Sequence, residues 1–323
     1  MNSPEQNSVP PLIILSGPTA TGKSALALAL CASMTQSRWS GAEIVTVDSA
    51  QIYRGMDIGT AKPDAAARVQ VPHHLLDILD PAEAYSAARF ASDALTTIAE
   101  IRSRNRVPVL VGGTLLYVRA LLEGLSDLPA ANAEFREQLE AEGAELGWGA
   151  LHARLARIDP RSAARLHPND VQRVQRALEI AHFAGAPASD RQGRAQPPTL
   201  PGVVARIALM PPDRVALTLR IQQRLHQMIA RGFVEEVAAL RSRGDLHLGL
   251  PAMRAVGYRQ LWGHLEGQYD LQEAVRLSVV ATRQYAKRQM TWLRGESEKW
   301  SWIDPVEPNA LARVLSLLPE GSK

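Results

Sequence analysis

The segment Gly17-Pro18-Thr19-Ala20-Thr21-Gly22-Lys23-Ser24 lies between an apolar run at residues 12–15 and an alanine- and leucine-rich stretch at residues 25–30. Strand, glycine-bounded loop and helix in that order predict an α/β fold built on a phosphate-binding loop. Successive backbone N–H groups of such a loop converge on a phosphate chain at a positive helix N-terminus; Lys23 adds an ammonium, and the Ser24 hydroxyl is left for Mg²⁺. The loop specifies a diphosphate or polyphosphate without specifying ATP, so the remainder of the chain must identify the ligand.

At 323 residues, with 46% hydrophobic and 21% charged residues, the chain is long enough for one large α/β domain with a smaller addition. The pattern predicts a phosphate-loop core over residues 1–130, a helical insertion over 131–200, and completion of the core with a helical half over 201–323. The lone cysteine, Cys31, excludes an internal disulfide framework and a cysteine-based zinc cluster. No run is long enough for a membrane span, and the first apolar run is too short for a signal peptide. The expected protein is cytoplasmic and, lacking a coiled-coil pattern, monomeric. Net charge is +3, but residues 151–300 hold 23 Lys and Arg against 13 Asp and Glu, whereas the rest holds 13 against 20. That arginine-rich excess makes a polyanionic partner plausible; a mixed solvated surface is the plainer reading.

Residues 43–47 and 107–111 read as buried parallel strands, the first ending at Asp48 and the second at Gly112-Gly113-Thr114, with a helix capped by Ser86 between them. Ligands of such sheets gather at the carboxyl ends of the strands. Short helices are expected from 132 to about 185, a returning strand at 203–210, and helices at 213–230, 233–243, 251–265 and 271–294. A last strand at 300–303 and a short helix after Pro308 follow.

The strand ending at Val111 has no carboxylate to activate water, and the Asn-Lys-x-Asp guanine signature is absent. Asp48 is the acid that the pattern places near the loop, as a catalytic group or as a cap or Mg²⁺ ligand. The run at residues 48–63, DSAQIYRGMDIGTAKP, resembles the signature of bacterial tRNA dimethylallyltransferases, also called tRNA isopentenyltransferases. The resemblance continues through Pro72-His73-His74-Leu75, Asp80-Pro81, Gly112-Gly113-Thr114-x-x-Tyr117, His167-Pro168-Asn169-Asp170, the stretch at 254–260 and the stretch at 282–294. It covers residues 11–294.

The resemblance implies transfer of a dimethylallyl group from dimethylallyl diphosphate to N6 of adenosine 37 in tRNAs reading codons that begin with U. Gly17 to Ser24, with Lys23 and a Ser24-bound Mg²⁺, are then expected to hold the diphosphate. Asp48 takes the N6 proton, and Thr114 is the other active-site contact. Arg220 is a second candidate clamp, although a surface helix arginine reads the same way. Contacts with the tRNA anticodon stem-loop are then expected of Asp48, Ser49, Ala50, Gln51 and Thr114 at the strand ends, of Arg136, which matches a family RNA contact, and, in the basic half, of Gln172, Arg173, Val174, Gln175 and Arg176; of Arg254, Ala255, Val256, Gly257, Tyr258 and Arg259; and of Arg283, Lys287, Arg288, Gln289, Met290, Thr291, Trp292, Leu293 and Arg294. At 100° per residue, Arg276, Arg283, Lys287 and Arg294 fall in a stripe about 40° wide and roughly 27 Å long, an RNA-facing edge or a salt-bridged outer face. Prenyl transfer to free AMP or ADP, an ATP-binding kinase or RNA-dependent ATPase, and a non-catalytic RNA-binding module are the competing readings.

Overall fold

A computed structural model describes residues 9–126, 128–191, 197–202 and 204–318. The chain divides into two compact units, residues 1–121 together with 199–323, and residues 122–198.

The first unit is built on one parallel sheet. Its strands are β1 (Leu12–Ser16), β2 (Ala42–Val47), β3 (His73–His74), β4 (Val107–Gly112), β5 (Val204–Leu209) and β6 (Ser301–Ile303), in the order β3-β2-β4-β1-β5-β6. Every residue of β1 and β2 is buried, as expected for parallel strands covered on both faces. Helices α1 (Lys23–Ser33), α2 (Ala65–Gln70), α3 (Ala87–Ser103) and α4 (Leu115–Glu123) follow the early strands. Ser86 caps α3, its hydroxyl accepting from Arg89 N at 3.1 Å, where the sequence placed a cap. The short β3 and α2, and α4, were not marked by the sequence pattern.

The second unit contains α5 (Ala133–Leu146), α6 (Trp148–Ile158), α7 (Pro160–Arg165), α8 (Val171–Ala184) and α9 (Ala188–Arg191). Leu139, Leu151, Leu155, Val174 and Leu178 form its core. Beside that core sits Glu179, 0% exposed. Its carboxylate receives Arg136 Nε at 3.0 Å and Nη2 at 2.9 Å, Arg176 Nη1 at 2.6 Å and Asn132 N at 2.7 Å. Burial alone raises a carboxyl pKa, but these donors hold Glu179 below the usual carboxylate range. Removing one partner of such a buried pair strands the others, so Glu179→Ala is expected to destabilise this unit by about 3 kcal/mol. Limited proteolysis, with cleavage appearing in residues 122–198 at lower temperature, checks it.

The chain rejoins the first unit at β5 and continues through α10 (Arg214–Ala230), α11 (Phe233–Ser242), α12 (Tyr258–Leu265), α13 (Leu271–Gly295), β6 and α14 (Ala310–Ser316). Val203, expected at the start of the returning strand, lies outside the described residues. The helix expected from 251 to 265 begins only at Tyr258, because Gly257 has φ +92° and breaks helical geometry before it.

Candidate active site

The carboxyl ends of β1, β2 and β4 meet at one edge of the sheet, where Ser16 and Val47 both pair with Gly112. A cavity of about 710 Å³ opens there, lined wholly by residues of the first unit. Two glycines permit the close approach of the strand ends: a Cβ on Gly112 would stand 2.0 Å from Val47 O, and one on Gly17 2.5 Å from Leu209 O.

The phosphate loop forms one wall. Gly22, at φ +90°, caps α1, and Thr21 Oγ1 donates to Pro18 O at 2.8 Å. Gly17, Pro18 and Thr21 shape the loop from behind, while Thr19, Ala20, Gly22, Lys23 and Ser24 face the cavity. Gln289, on α13 and 5% exposed, clamps the loop to the end of β4: its Oε1 accepts from Thr19 N at 3.1 Å and its Nε2 donates to Gly113 O at 2.8 Å. Lys23 Nζ donates to Pro18 O at 2.6 Å. Burial and the nearby Arg224 charge lower the Lys23 pKa to about 7, against an opposing pull from Asp48.

Asp48 stands opposite. Its Oδ1 accepts from Ala50 N at 2.9 Å and Gln51 N at 3.3 Å, which fixes the turn after β2. The structure thus gives one carboxylate oxygen the structural role that the sequence left open, and Oδ2 has no hydrogen-bond partner among the described residues. Burial pushes the Asp48 pKa up, although the two N–H bonds and the Lys23 and Arg224 charges oppose it. Thr114 is set beside this turn: its N donates to Val47 O at 3.2 Å and its Oγ1 accepts from Ser49 N at 3.1 Å.

Arg220 is exposed on α10 and does not line the cavity. Within α10 it is Arg224, one helical turn farther along, that lines the cavity. It carries an opposite charge toward Asp48, and burial lowers its pKa. Sequence spacing could not separate the two, since residues four apart share a helix face. Tyr285 also lines the cavity and was missed, although its place between Thr282 and Gln289 on one face of α13 was a readable signal. Burial pushes its pKa up to about 12, with Thr114 and Gln289 acting in the opposite direction.

The signature at residues 48–63 proves to be part cavity wall and part scaffold. Lys62, its side chain 2% exposed, binds Asp57 at 2.8 Å, Asp77 at 2.5 Å and Tyr53 O at 2.5 Å. Gln51 Nε2 donates to Thr60 O at 3.0 Å and Ala61 O at 3.3 Å. Gly59 has no room for a side chain, as its Cβ would lie 2.1 Å from the Phe233 ring.

Several residues expected to touch RNA serve packing. Met290, Leu293, Tyr258 and Val174 are buried core residues, because their helices turn an apolar face inward. Gly257 is buried against Phe233. Gln289 is committed to the loop clamp, and Arg136, Gln175 and Arg176 to the surroundings of Glu179. Ser49, Ala50, Gln51, Arg254, Ala255, Val256 and Arg288 line the cavity, and so do the buried Gly257, Tyr258 and Gln289. Gln172, Arg173, Arg259, Thr291 and Arg294 are exposed, and Trp292 is half-buried. In the stripe on α13, Arg276 is bound to Glu273 through two hydrogen bonds of 2.7 Å, as the salt-bridged reading had it. Arg283 and Lys287 have no ion pair among the described residues. With Arg214 they line a second groove of about 360 Å³ between α10 and α13.

A family model described as IPP transferase matches residues 51–296, more than half of the chain. The chain belongs to the IPP transferase family. Within that family, it is similar to the tRNA dimethylallyltransferase of Alkalilimnicola ehrlichii, with 53% identity over 96% of this chain and 98% of the relative. The corresponding protein of Halorhodospira halophila is 57% identical over 89% of this chain and 91% of the relative. Among solved structures, the full-length tRNA isopentenylpyrophosphate transferase of Bacillus halodurans superposes with a TM-score of 0.69 at 36% identity, covering 97% of this chain and 96% of that one. A eukaryotic dimethylallyltransferase acting on tRNA gives 0.77 at 25% identity, covering 95% of this chain and 78% of its own. The family signature coincides with the strap that runs from Asp48 to Lys62 along the cavity.

Proposed function

We propose that this IPP transferase moves a dimethylallyl group from dimethylallyl diphosphate to N6 of adenosine 37, beside the anticodon of tRNAs reading codons that begin with U. The observation that carries the reading is the placement of Asp48 across one cavity from the phosphate loop and Arg224. A phosphate grip and a proton acceptor face the same space, which suits a donor with an anionic leaving group and an acceptor that must lose a proton.

In this reading the backbone N–H groups of the loop, Lys23 and Arg224 stabilise charge growing on the diphosphate as the donor's C1–O bond breaks. N6 forms the new bond to C1, and its proton passes to the free Oδ2 of Asp48. Diphosphate leaves with the electron pair of the broken bond. Burial of Asp48 suits the task, since a carboxylate with a raised pKa is the stronger base. Thr114 and Gln51 flank Asp48 and are proposed to fix the plane of the adenine. An extruded loop nucleotide presents its N6 edge to such a pocket.

Mg²⁺ fits the donor set. The Ser24 side chain is exposed at the cavity, and Mg²⁺ takes one or two protein oxygens together with phosphate oxygens and water. When bound it would neutralise charge on the diphosphate.

The exposed Arg283 and Lys287, with Arg214 beside them, favour RNA over free AMP as the acceptor. Exchanging Arg283 and Lys287 together for alanine is expected to weaken binding of an anticodon stem-loop and to flatten its log–log salt dependence by roughly 0.7 for each phosphate that is no longer neutralised. Fluorescence titration from low to moderate salt reads both. The decisive test of function incubates the purified protein with dimethylallyl diphosphate and either an unmodified anticodon stem-loop or AMP. Mass spectrometry is expected to find one C₅H₈ unit on adenosine of the stem-loop. Prenylation of AMP alone would sink the reading.

A further inference from the structure

We infer that Glu236, on α11, is a positioning residue for the acceptor side of this site, an inference that rests on the function proposed above. Its Oε2 accepts from Asp57 N at 2.9 Å and Ile58 N at 2.7 Å, and its Oε1 from Gly59 N at 3.1 Å and the Tyr258 hydroxyl at 2.5 Å. Three successive backbone N–H groups converge on one carboxylate, as they do in an anion-binding nest.

The segment held in this way reaches the proton acceptor through two further links. Thr60 and Ala61, next along the loop, offer their carbonyls to Gln51 Nε2. The Gln51 N–H in turn donates to Asp48 Oδ1. Ile58, Gly59, Thr60, Ala61, Gln51 and Asp48 all line the cavity. Glu236 itself does not line it and therefore acts through the strap.

A carboxylate is the side chain this position requires. All four groups directed at it are donors, and an ionised carboxylate is acceptor-only with room for all of them. Glutamine keeps the size but turns an NH₂ group against at least one of the N–H groups, leaving it unpaired. The strap has a second anchor in Lys62, which holds Asp57, Asp77 and Tyr53 O. The expected result of Glu236→Gln is therefore a displaced strap in a folded protein.

The test compares wild type, Glu236→Gln, Gln51→Ala and the double variant, in prenyl transfer to the anticodon stem-loop. Glu236→Gln is expected to lower kcat by about 10- to 100-fold, as misplacement within a site does. Donor KM and inhibition by inorganic diphosphate should stay near wild type, because the phosphate loop is held separately by Gln289. The double variant should be little slower than Gln51→Ala, the signature of two residues acting through one path. Wild-type kcat in Glu236→Gln, or a double-variant loss equal to the product of the single losses, overturns the inference. Glu236→Asp, one methylene shorter, should lose part of the rate and serves if the glutamine variant does not fold. Amide hydrogen exchange at residues 57–59 should quicken in either variant; unchanged protection overturns the inference whether or not the wild type transfers a prenyl group. An inactive wild type with quickened exchange would instead point to failure of the proposed function.

Discussion

Exchange of Asp48 for asparagine is expected to lower the rate of prenyl transfer by about 10²- to 10⁴-fold, the range attached to a positioned general base. Asparagine keeps an oxygen for the Ala50 and Gln51 N–H groups, so the turn after β2 should persist while proton acceptance is lost. Inorganic diphosphate should bind the variant at least as well as the wild type, since a negative charge has left the cavity. Single-turnover rates and diphosphate inhibition separate these two effects. The acid side of the pH profile carries the same information. Burial raises the Asp48 pKa, so the wild-type rate should begin to fall, as pH is lowered, above the usual carboxylate range. That limb should vanish from the residual activity of the asparagine variant. A variant that transfers at the wild-type rate would remove Asp48 from the chemistry.

Lys23→Ala is expected to cost about 10²- to 10³-fold in kcat/KM, comparable to removing one charge-stabilising donor from a developing anion. The free enzyme carries Lys23 with a pKa of about 7, held down by burial first and by Arg224 second. Below that pKa the ammonium is present and diphosphate is attracted; as pH rises through it the amine becomes neutral, and kcat/KM should decline. Bound diphosphate favours the protonated form, which displaces the corresponding limb of kcat to higher pH. Lys23→Arg, charged throughout this range, should lose the alkaline decline in kcat/KM even where its geometry reduces the maximum. Profiles from pH 6 to about 9 for the two variants test the assignment against the free-lysine range.

The parts of this fold that were legible in the sequence are those with strong local periodicity. The strand, loop and helix order around residues 17–24, the β-branched runs of β2 and β4, and the long apolar face of α13 each specify themselves within a short window. The two-residue β3 is too short for a period to show. The helix over 251–265 was overextended because Pro251 reads as a helix start, whereas Gly257 sets the start at Tyr258. At the site, Asp48 and the phosphate loop were readable since each follows directly from a strand end. Arg224 and Glu236 were not legible in this way. They come from helices far along the chain, and their role depends on how those helices pack at the sheet edge. The proposed RNA contacts illustrate the same limit: a signature shows which residues belong together, but burial decides that Tyr258 and Gln289 brace the pocket while Arg283 and Lys287 face water.

The position of β1 between β4 and β5 has a consequence for synthesis. The strand that leads into the phosphate loop lies within the first 16 residues, yet its neighbours arrive only with residues 107–112 and 204–209. Leu209 O also sits against the backbone of Gly17. A nascent chain released from the ribosome before β5 would therefore carry a complete loop sequence with one flank of its supporting strand unpaired. The helical unit of residues 122–198, with a core of its own, can form while that strand still waits.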